Sequence, residues 1–157
     1  VELPWPCSNE VYEARLGGLW DAAQREGVEV IAYGDLFLED IRAYRERQLA
    51  GTGLEPRFPL WGRDTGELAV EMIDGGLEAI VVTVDRQCLA PDFVGRAFDR
   101  DFLRDLPADV DPCGENGEFH TFVYDSPQFD QPLATSVGDH RRDDRFAWVD
   151  LSVDRLD

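Results

Sequence analysis

The chain has 157 residues, of which 33 are acidic and 15 are basic, and its formal net charge is −18. All of the basic residues are arginine. So acidic a chain is unsuited to duplex nucleic acid, whose binding depends on phosphate neutralisation, and to an anionic membrane surface. The sequence also lacks the run of roughly 20 apolar residues that spans a bilayer. We therefore expect a chain with a normal core and with neither nucleic acid nor membrane as a partner.

The three cysteines, Cys7, Cys88 and Cys113, form no Cys-x-x-Cys pair. Secreted disulfide scaffolds usually carry an even and denser set of cysteines. Reduced thiols in a cytoplasmic protein are therefore expected.

The first third of the chain predicts a helix, a strand and a second helix. Apolar residues recur at helical spacing from an N-cap at Ser8 or Asn9 to a stop at Gly27. The run "VEVIAYGD", residues 28–35, is short and apolar, which is typical of a buried strand. The second helix follows over about residues 39–49, with arginines and acids alternating along a solvated face.

Glycines and prolines between residues 51 and 59 mark the best candidate for a domain boundary. The parts on either side are residues 1–53 and 54–157.

The second part predicts one helix followed by three strands. Capping-box spacing starts the helix, which covers residues 64–74. "LEAIVVTVD", residues 77–85, predicts a second buried strand, and the phenylalanines after it suggest short helical pieces. Later strands are expected over about 119–124 and 145–153. This order of helices and strands predicts an α/β fold.

Both predicted buried strands end in an acid, Asp35 and Asp85. Open α/β sheets bind ligands at the carboxyl ends of their parallel strands, which would make these acids site residues. Ordinary turn chemistry explains them equally, because Asp favours the start of a loop. Both interpretations stay open for Asp35, while the turn is favoured for Asp85.

The stretch "DPCGENGEFHTFVYDSP", residues 111–127, predicts a β-hairpin with Asn-Gly at its tip. Period-two alternation in that hairpin places Cys113, Glu115, Glu118 and His120 on one face. Two glutamates facing each other repel, so their placement needs a reason.

Three interpretations of this predicted face stay open. The carboxylates and the imidazole suit a Mg²⁺ or Zn²⁺ ion, which would remove the repulsion. A like-charge pair also raises the pKa of one carboxyl and suits acid/base catalysis. The third interpretation is an exposed hairpin whose acids are screened by solvent.

Three segments together resemble a known family: "YGDLFLEDIRAYRERQLAGTGLEPRFPLWG", "GGLEAIVVTVD" and "DPCGENGEFHTFVYDSPQF". In this order they are similar to the diphthine–ammonia ligase-like family of PP-loop ATP pyrophosphatases. The resemblance runs from about Leu3 to Leu133 and includes the specific motif in the third segment.

The resemblance implies a fold and a reaction. Residues 1–53 would be part of a parallel-sheet, Rossmann-like nucleotide-binding domain, and residues 54–157 a smaller α+β C-terminal domain. ATP and Mg²⁺ would be the cofactors of an AMP-forming amide ligase. ATP would activate a carboxylate on a protein or small-molecule acceptor, and ammonia would then displace AMP. Self-association into a homo-oligomer is left open.

The resemblance also implies roles for particular residues. Those expected to be catalytic are Glu115, Glu118 and His120. Those expected to bind substrate or nucleotide are Gly34, Asp35, Gly114, Asn116 and Gly117. Glu118 would accept a proton or orient ammonia, and Glu115 would be a ligand for the metal or for ammonium.

Two departures from the family pattern matter. The family's Ser-Gly-Gly-x-Asp-Ser phosphate loop does not occur in this sequence, so we expect the chain to be the C-terminal portion of a longer protein. The alternative is a non-catalytic binding or regulatory module that kept the fold. Members tied to diphthamide carry Glu-Gly-Gly-Glu where this chain has Glu-Asn-Gly-Glu, so a different acceptor substrate stays open.

Overall fold

The computed structural model describes residues 2–4 and 6–153 and divides into two compact units, Val1–Gly62 and Arg63–Asp157. The division falls at Gly62 rather than at residue 53. The reason is that Glu55–Arg57 forms a strand that hydrogen-bonds back into the first unit.

The first unit contains two helices and a two-stranded parallel sheet. The helices are α1 (Asn9–Arg25) and α2 (Glu39–Leu49), and the strands are β1 (Val30–Ala32) and β2 (Glu55–Arg57). The side chain of Ser8 accepts a hydrogen bond from a backbone N–H of the first turn of α1, as expected for an N-cap. Both helices were predicted at these positions.

The predicted buried strand over residues 28–35 is wrong in length and in burial. Strand β1 covers three residues, and Val28 and Val30 are exposed. The strands of a parallel sheet are normally buried because helices cover both faces of the sheet and further strands pair on either side. In the described part of the first unit β1 pairs only with β2, which leaves it open. The small parallel sheet is real, whereas a Rossmann-like nucleotide-binding domain remains a prediction.

The second unit is an α+β domain built on an antiparallel sheet, as predicted for the C-terminal part. Its helices are α3 (Thr65–Asp74) and α4 (Arg100–Asp105), with a 3-10 turn at Pro91–Phe93. Its strands are β3 (Glu78–Asp85), β4 (Phe119–Asp125), β5 (Thr135–Arg142) and β6 (Phe146–Val153), in the sheet order β4-β3-β6-β5. No helix in the described residues has the length and apolar character to cross a bilayer.

Two features of this sheet differ from the sequence prediction. Strand β5 was missed because its residues, "TSVGDHRR", are mostly polar and exposed, so they show no apolar alternation. Strand β3 is antiparallel to both of its neighbours. Asp85 therefore does not lie at the carboxyl edge of a parallel sheet.

The core of the second unit is centred on Phe102 of α4, which is fully buried. Its ring contacts those of Phe93, Phe98 and Phe119, with centroids 5.1 to 5.7 Å apart. The pairs with Phe93 and Phe119 are edge-to-face, a geometry that adds to the burial energy of the rings. This core fixes the start of β4, where Phe119 enters it directly after the Glu-Asn-Gly-Glu stretch.

We expect Phe102→Ala to lower the free energy of unfolding by about 3–5 kcal/mol, because it leaves a cavity among packed rings. Phe129→Ala, at an exposed position, is the control and should change stability by less than about 0.5 kcal/mol. Urea unfolding followed by circular dichroism measures both. Equal effects of the two substitutions would contradict this description of the core.

Candidate functional site

The Glu-Asn-Gly-Glu stretch is a compact loop and not a hairpin, so the hairpin prediction is wrong. Backbone hydrogen bonds close two successive turns, from the N–H of Gly114 to the carbonyl of Asp111 and from the N–H of Gly117 to the carbonyl of Gly114. A two-residue type I′ hairpin needs positive φ at both central residues. Gly117 has a φ of 85°, but Asn116 does not adopt positive φ. Strand β4 instead begins at Phe119 and pairs with β3.

Two carboxylates hold this loop from inside. Oδ1 of Asp111 accepts from the backbone N–H groups of Cys113 and Glu115, at 2.9 and 3.1 Å. Oε1 of Glu118 accepts from the N–H of Asp111 at 3.0 Å and from the side-chain amide of Asn116 at 2.9 Å. Asp111 was missed at the sequence level. The available signal was the tendency of Asp to bond its own backbone two residues on.

Glu118 is the most unusual group in this loop. Its residue is only 4% exposed, and its Oε2 is buried with no hydrogen-bond partner among the residues that the structure describes. Burial by itself would raise the pKa of Glu118, but the hydrogen bonds from Asn116 and from the Asp111 backbone outweigh it and lower the pKa below its ordinary value. The site therefore holds an ionised carboxylate with one oxygen unsatisfied.

A second buried acid, Asp85, is joined to Glu118 through the backbone. The N–H of Asp85 donates to the carbonyl of Glu118 at 2.8 Å, next to the pair formed by Val84 and Phe119. The acid joined to Glu118 by this contact is thus Asp85, whereas the backbone of Glu115 bonds Asp111.

Asp85 has partners for its charge. Oδ1 accepts from the N–H of Gln87 at 2.9 Å, and Oδ2 accepts from Nε of Arg145 at 2.9 Å. The Gln87 backbone contributes most to lowering the pKa of Asp85, burial opposes it, and Arg145 adds to the lowering. Asp85 is therefore an ionised, satisfied carboxylate beside an ionised, half-satisfied one.

The other residues of the predicted face do not gather around Glu118. Glu115 is half-buried and its backbone bonds Asp111, while His120 is exposed on β4. The thiol of Cys113 donates to the carbonyl of Thr65, and burial raises its pKa to about 11. Within the described residues no three His, Cys, Asp or Glu side chains are arranged for a metal ion. The structure therefore does not support the interpretation in which both carboxylates and the imidazole hold one metal ion.

The two motif glycines have local structural reasons. Gly114 has a φ of 69°, and a Cβ there would lie 2.8 Å from the carbonyl oxygen of Phe119. Gly117 also has a positive φ, but a Cβ there would meet open space. The loop itself thus requires glycine at 114 more strictly than at 117.

In the first unit, Gly34 and Asp35 follow β1. Oδ2 of Asp35 is buried without a hydrogen-bond partner in the described part of the chain, and Nε of Arg45 stands 3.8 Å away. The hydroxyl of Tyr33 is likewise buried and without a partner there, and burial raises its pKa. Neither φ nor packing requires glycine at 34. A nucleotide-binding role for Gly34 and Asp35 stays a prediction.

The second unit matches a known family. A family model described as the diphthamide synthase C-terminal domain matches residues 64–155. The chain belongs to this family, which agrees with its resemblance to diphthine–ammonia ligases. The match begins one residue after the second unit begins.

Curated relatives extend the similarity beyond that unit. The chain is 35% identical to the diphthine–ammonia ligase of Danio rerio over 130 residues, which is 78% of this chain and 51% of the relative. It is 32% identical to that of Bos taurus and 31% identical to that of Homo sapiens, in each case over 115 residues, or 70% of this chain and 43% of the relative. The chain spans about half the length of the curated relatives it matches.

The first prediction from the site compares its two glycines. Gly117→Ala should lower stability by about 1–2 kcal/mol, the usual penalty for a left-handed L-residue. Gly114→Ala should lower it by about 1–3 kcal/mol more, because the added methyl group also clashes with the Phe119 carbonyl. Urea unfolding of the two variants measures the difference. Equal losses would contradict the close approach at Gly114.

The second prediction concerns acid stability. A folded-state pKa below the unfolded value gives Glu118 a stabilising contribution that is present above the unfolded pKa and lost as pH falls through the folded pKa. Unfolding free energies of the native chain and of Glu118→Gln, measured between pH 7 and pH 3, should therefore show a smaller acid loss in the variant. Parallel curves would contradict the ionised state assigned to Glu118.

Proposed function

We propose that this chain carries the ammonia-handling site of an ATP-dependent, AMP-forming amide ligase. The observation that supports the proposal is the buried, ionised Glu118 carboxylate with its unpartnered Oε2. An ammonium ion is a compact donor that suits such an oxygen. The names of the relatives, diphthine–ammonia ligases, support the reaction class.

In the proposed reaction, a substrate carboxylate attacks the α-phosphorus of ATP and pyrophosphate leaves. Ammonia then attacks the carbonyl carbon of the acyl-adenylate, a C–N bond forms, and the bond to the AMP oxygen breaks. Ammonium must lose one proton before attack, and the new amine nitrogen loses another. Positive charge therefore appears on nitrogen both before and after the bond is made.

The geometry favours one of the two roles expected for Glu118. A carboxyl whose pKa is lowered is a weak general base near neutral pH, because general bases work best with a pKa near the working pH. It is a good electrostatic partner for a cationic nitrogen. We therefore assign Glu118 to binding and orienting ammonium, with Asn116 and Asp111 fixing its other oxygen.

The remaining predicted residues have more distant roles in the proposal. Gly34 and Asp35 would contribute to the nucleotide side, where the buried Oδ2 of Asp35 still lacks a hydrogen-bond partner in the described chain. Mg²⁺ usually takes one or two carboxylates together with substrate phosphates, so Glu115 alone could serve as its protein ligand from this loop. The ion would neutralise phosphate charge. His120, exposed where β4 begins, would face the acceptor.

The proposal is tested with the complete gene product and Glu118→Gln. We expect kcat/KM for ammonium to fall about 100-fold or more, as for loss of an electrostatic stabiliser, while ATP–pyrophosphate exchange with the carboxylate substrate persists. That split follows because Glu118 acts on nitrogen and not on the phosphates.

Glu78→Gln is the matched control, since it removes a carboxylate from the opposite end of the β3–β4 pair. It should leave both rates unchanged. Full ligase activity in Glu118→Gln would refute the assignment, and so would loss of the exchange reaction to the same extent as ligation.

A further inference from the structure

An exposed arginine, Arg145, pairs with one of the two buried acids, Asp85. Nε of Arg145 is 2.9 Å from Oδ2 of Asp85, and its guanidinium lies 4.8 Å from the centre of the Phe146 ring. The side chain of Arg145 is 63% exposed, whereas that of Asp85 is 6% exposed. The arginine is thus anchored at its inner edge and reaches outward.

We infer that Arg145 binds an oxyanion of the ligand that Glu118 serves, a phosphate or a carboxylate group, and that Asp85 positions it. The inference rests on the proposed function for the identity of that ligand. A guanidinium bonded through Nε keeps its two Nη groups for a planar, two-point contact with an oxyanion. Its side-chain hydrogen bond within the described residues uses Nε.

Two neighbouring arginines have partners of their own. Arg86 donates to the carbonyl of Asp143, and Arg141 pairs with Asp150 at 2.7 Å. In a chain of net charge −18, an anionic ligand needs a local cation to approach two ionised carboxylates. Arg145 supplies such a cation on Asp85, whose backbone N–H bonds the carbonyl of Glu118.

The position of Asp85 also needs this explanation. Burying a carboxylate is costly unless it is paired and hydrogen-bonded, and a pair that is half exposed returns little stability. A buried acid that orients an exposed arginine is, however, a common way to fix a guanidinium for ligand contact. If the pair only secured the start of β6, replacing Arg145 would not change the binding of an oxyanion.

Cys88 offers a reporter for this site. Cys88 is exposed. Partial desolvation contributes most to raising the pKa of its thiol, the carboxylates of Asp85 and Glu118 raise it further, and Arg145 lowers it. A bound oxyanion would add negative charge near the Cys88 thiol and would shield it from the reagent. Both effects would slow alkylation of Cys88. Peptide mass spectrometry follows Cys88 separately from the other two thiols.

The experiment measures the rate of Cys88 alkylation by iodoacetamide in the 157-residue chain. Pyrophosphate, AMP and acetate are titrated separately at constant ionic strength, which removes general screening. We expect at least one probe to slow alkylation in the native chain. Protection by pyrophosphate or AMP identifies a phosphate contact, and protection by acetate alone identifies a carboxylate contact.

Arg145→Gln should shift the midpoint of protection at least about ten-fold, as expected for loss of a charge-assisted bidentate contact. Arg145→Lys keeps a positive charge beside Asp85, so it is the variant more certain to fold. It should also weaken protection, because lysine lacks the planar two-point donor of arginine. Arg100→Gln is the matched control, since its arginine is 60% exposed and pairs with Asp74 outside this site. It should behave as the native chain does.

Unchanged midpoints in both Arg145 variants would overturn the inference, and so would the absence of protection by all three probes in the native chain. The ligase assay on Glu118→Gln is independent of this titration. An inactive ligase with intact, Arg145-dependent protection would refute the proposed function while keeping the oxyanion site.

Discussion

The site depends on one backbone contact, the hydrogen bond from the N–H of Asp85 to the carbonyl of Glu118. It follows the Val84–Phe119 pair of β3 and β4 and joins the backbones of two acids that are both less than a tenth exposed. The charges are tolerated because each carboxylate has its own set of donors. The two sets differ: both oxygens of Asp85 have hydrogen-bond partners in the described part of the chain, whereas only one oxygen of Glu118 does.

The loop before β4 acts as a scaffold for that asymmetry. The side chain of Asp111 accepts hydrogen bonds from the loop backbone, and Oε1 of Glu118 accepts one from the N–H of Asp111. Oε1 of Glu118 is thus used within the loop, whereas its Oε2 has no partner there. Phe119 follows immediately and anchors the strand in an aromatic core around Phe102. The Glu118 carboxylate is thereby held between the aromatic core and a tightly bonded loop, as the position of a binding group requires.

The family assignment and the geometry bear on different levels of function. The family model and the relatives define the class to which the second unit belongs and support ligase chemistry. The two proposals made from the geometry add roles that the names do not contain, Glu118 for a cationic nitrogen and Arg145 for an oxyanion. Opposite charges on one end of a sheet suit a reaction in which an amine meets an activated carboxylate.

By itself, the sequence determined the helices α1, α2 and α3, the strands β3, β4 and β6, and the importance of the Glu-Asn-Gly-Glu stretch, because these depend on caps, periodicity and local motifs. It could not show strand β5, because the residues of that strand are mostly polar. Nor could it show the shape of the loop, because Asn116 does not adopt the left-handed conformation that a type I′ hairpin needs. Pairing partners were also beyond it. Asp85 meets the backbone of Glu118, 33 positions later in the sequence, and the side chain of Arg145, 60 positions later, only through the arrangement of the strands. Contacts between distant segments are set by tertiary packing, and they decided which acids share the site.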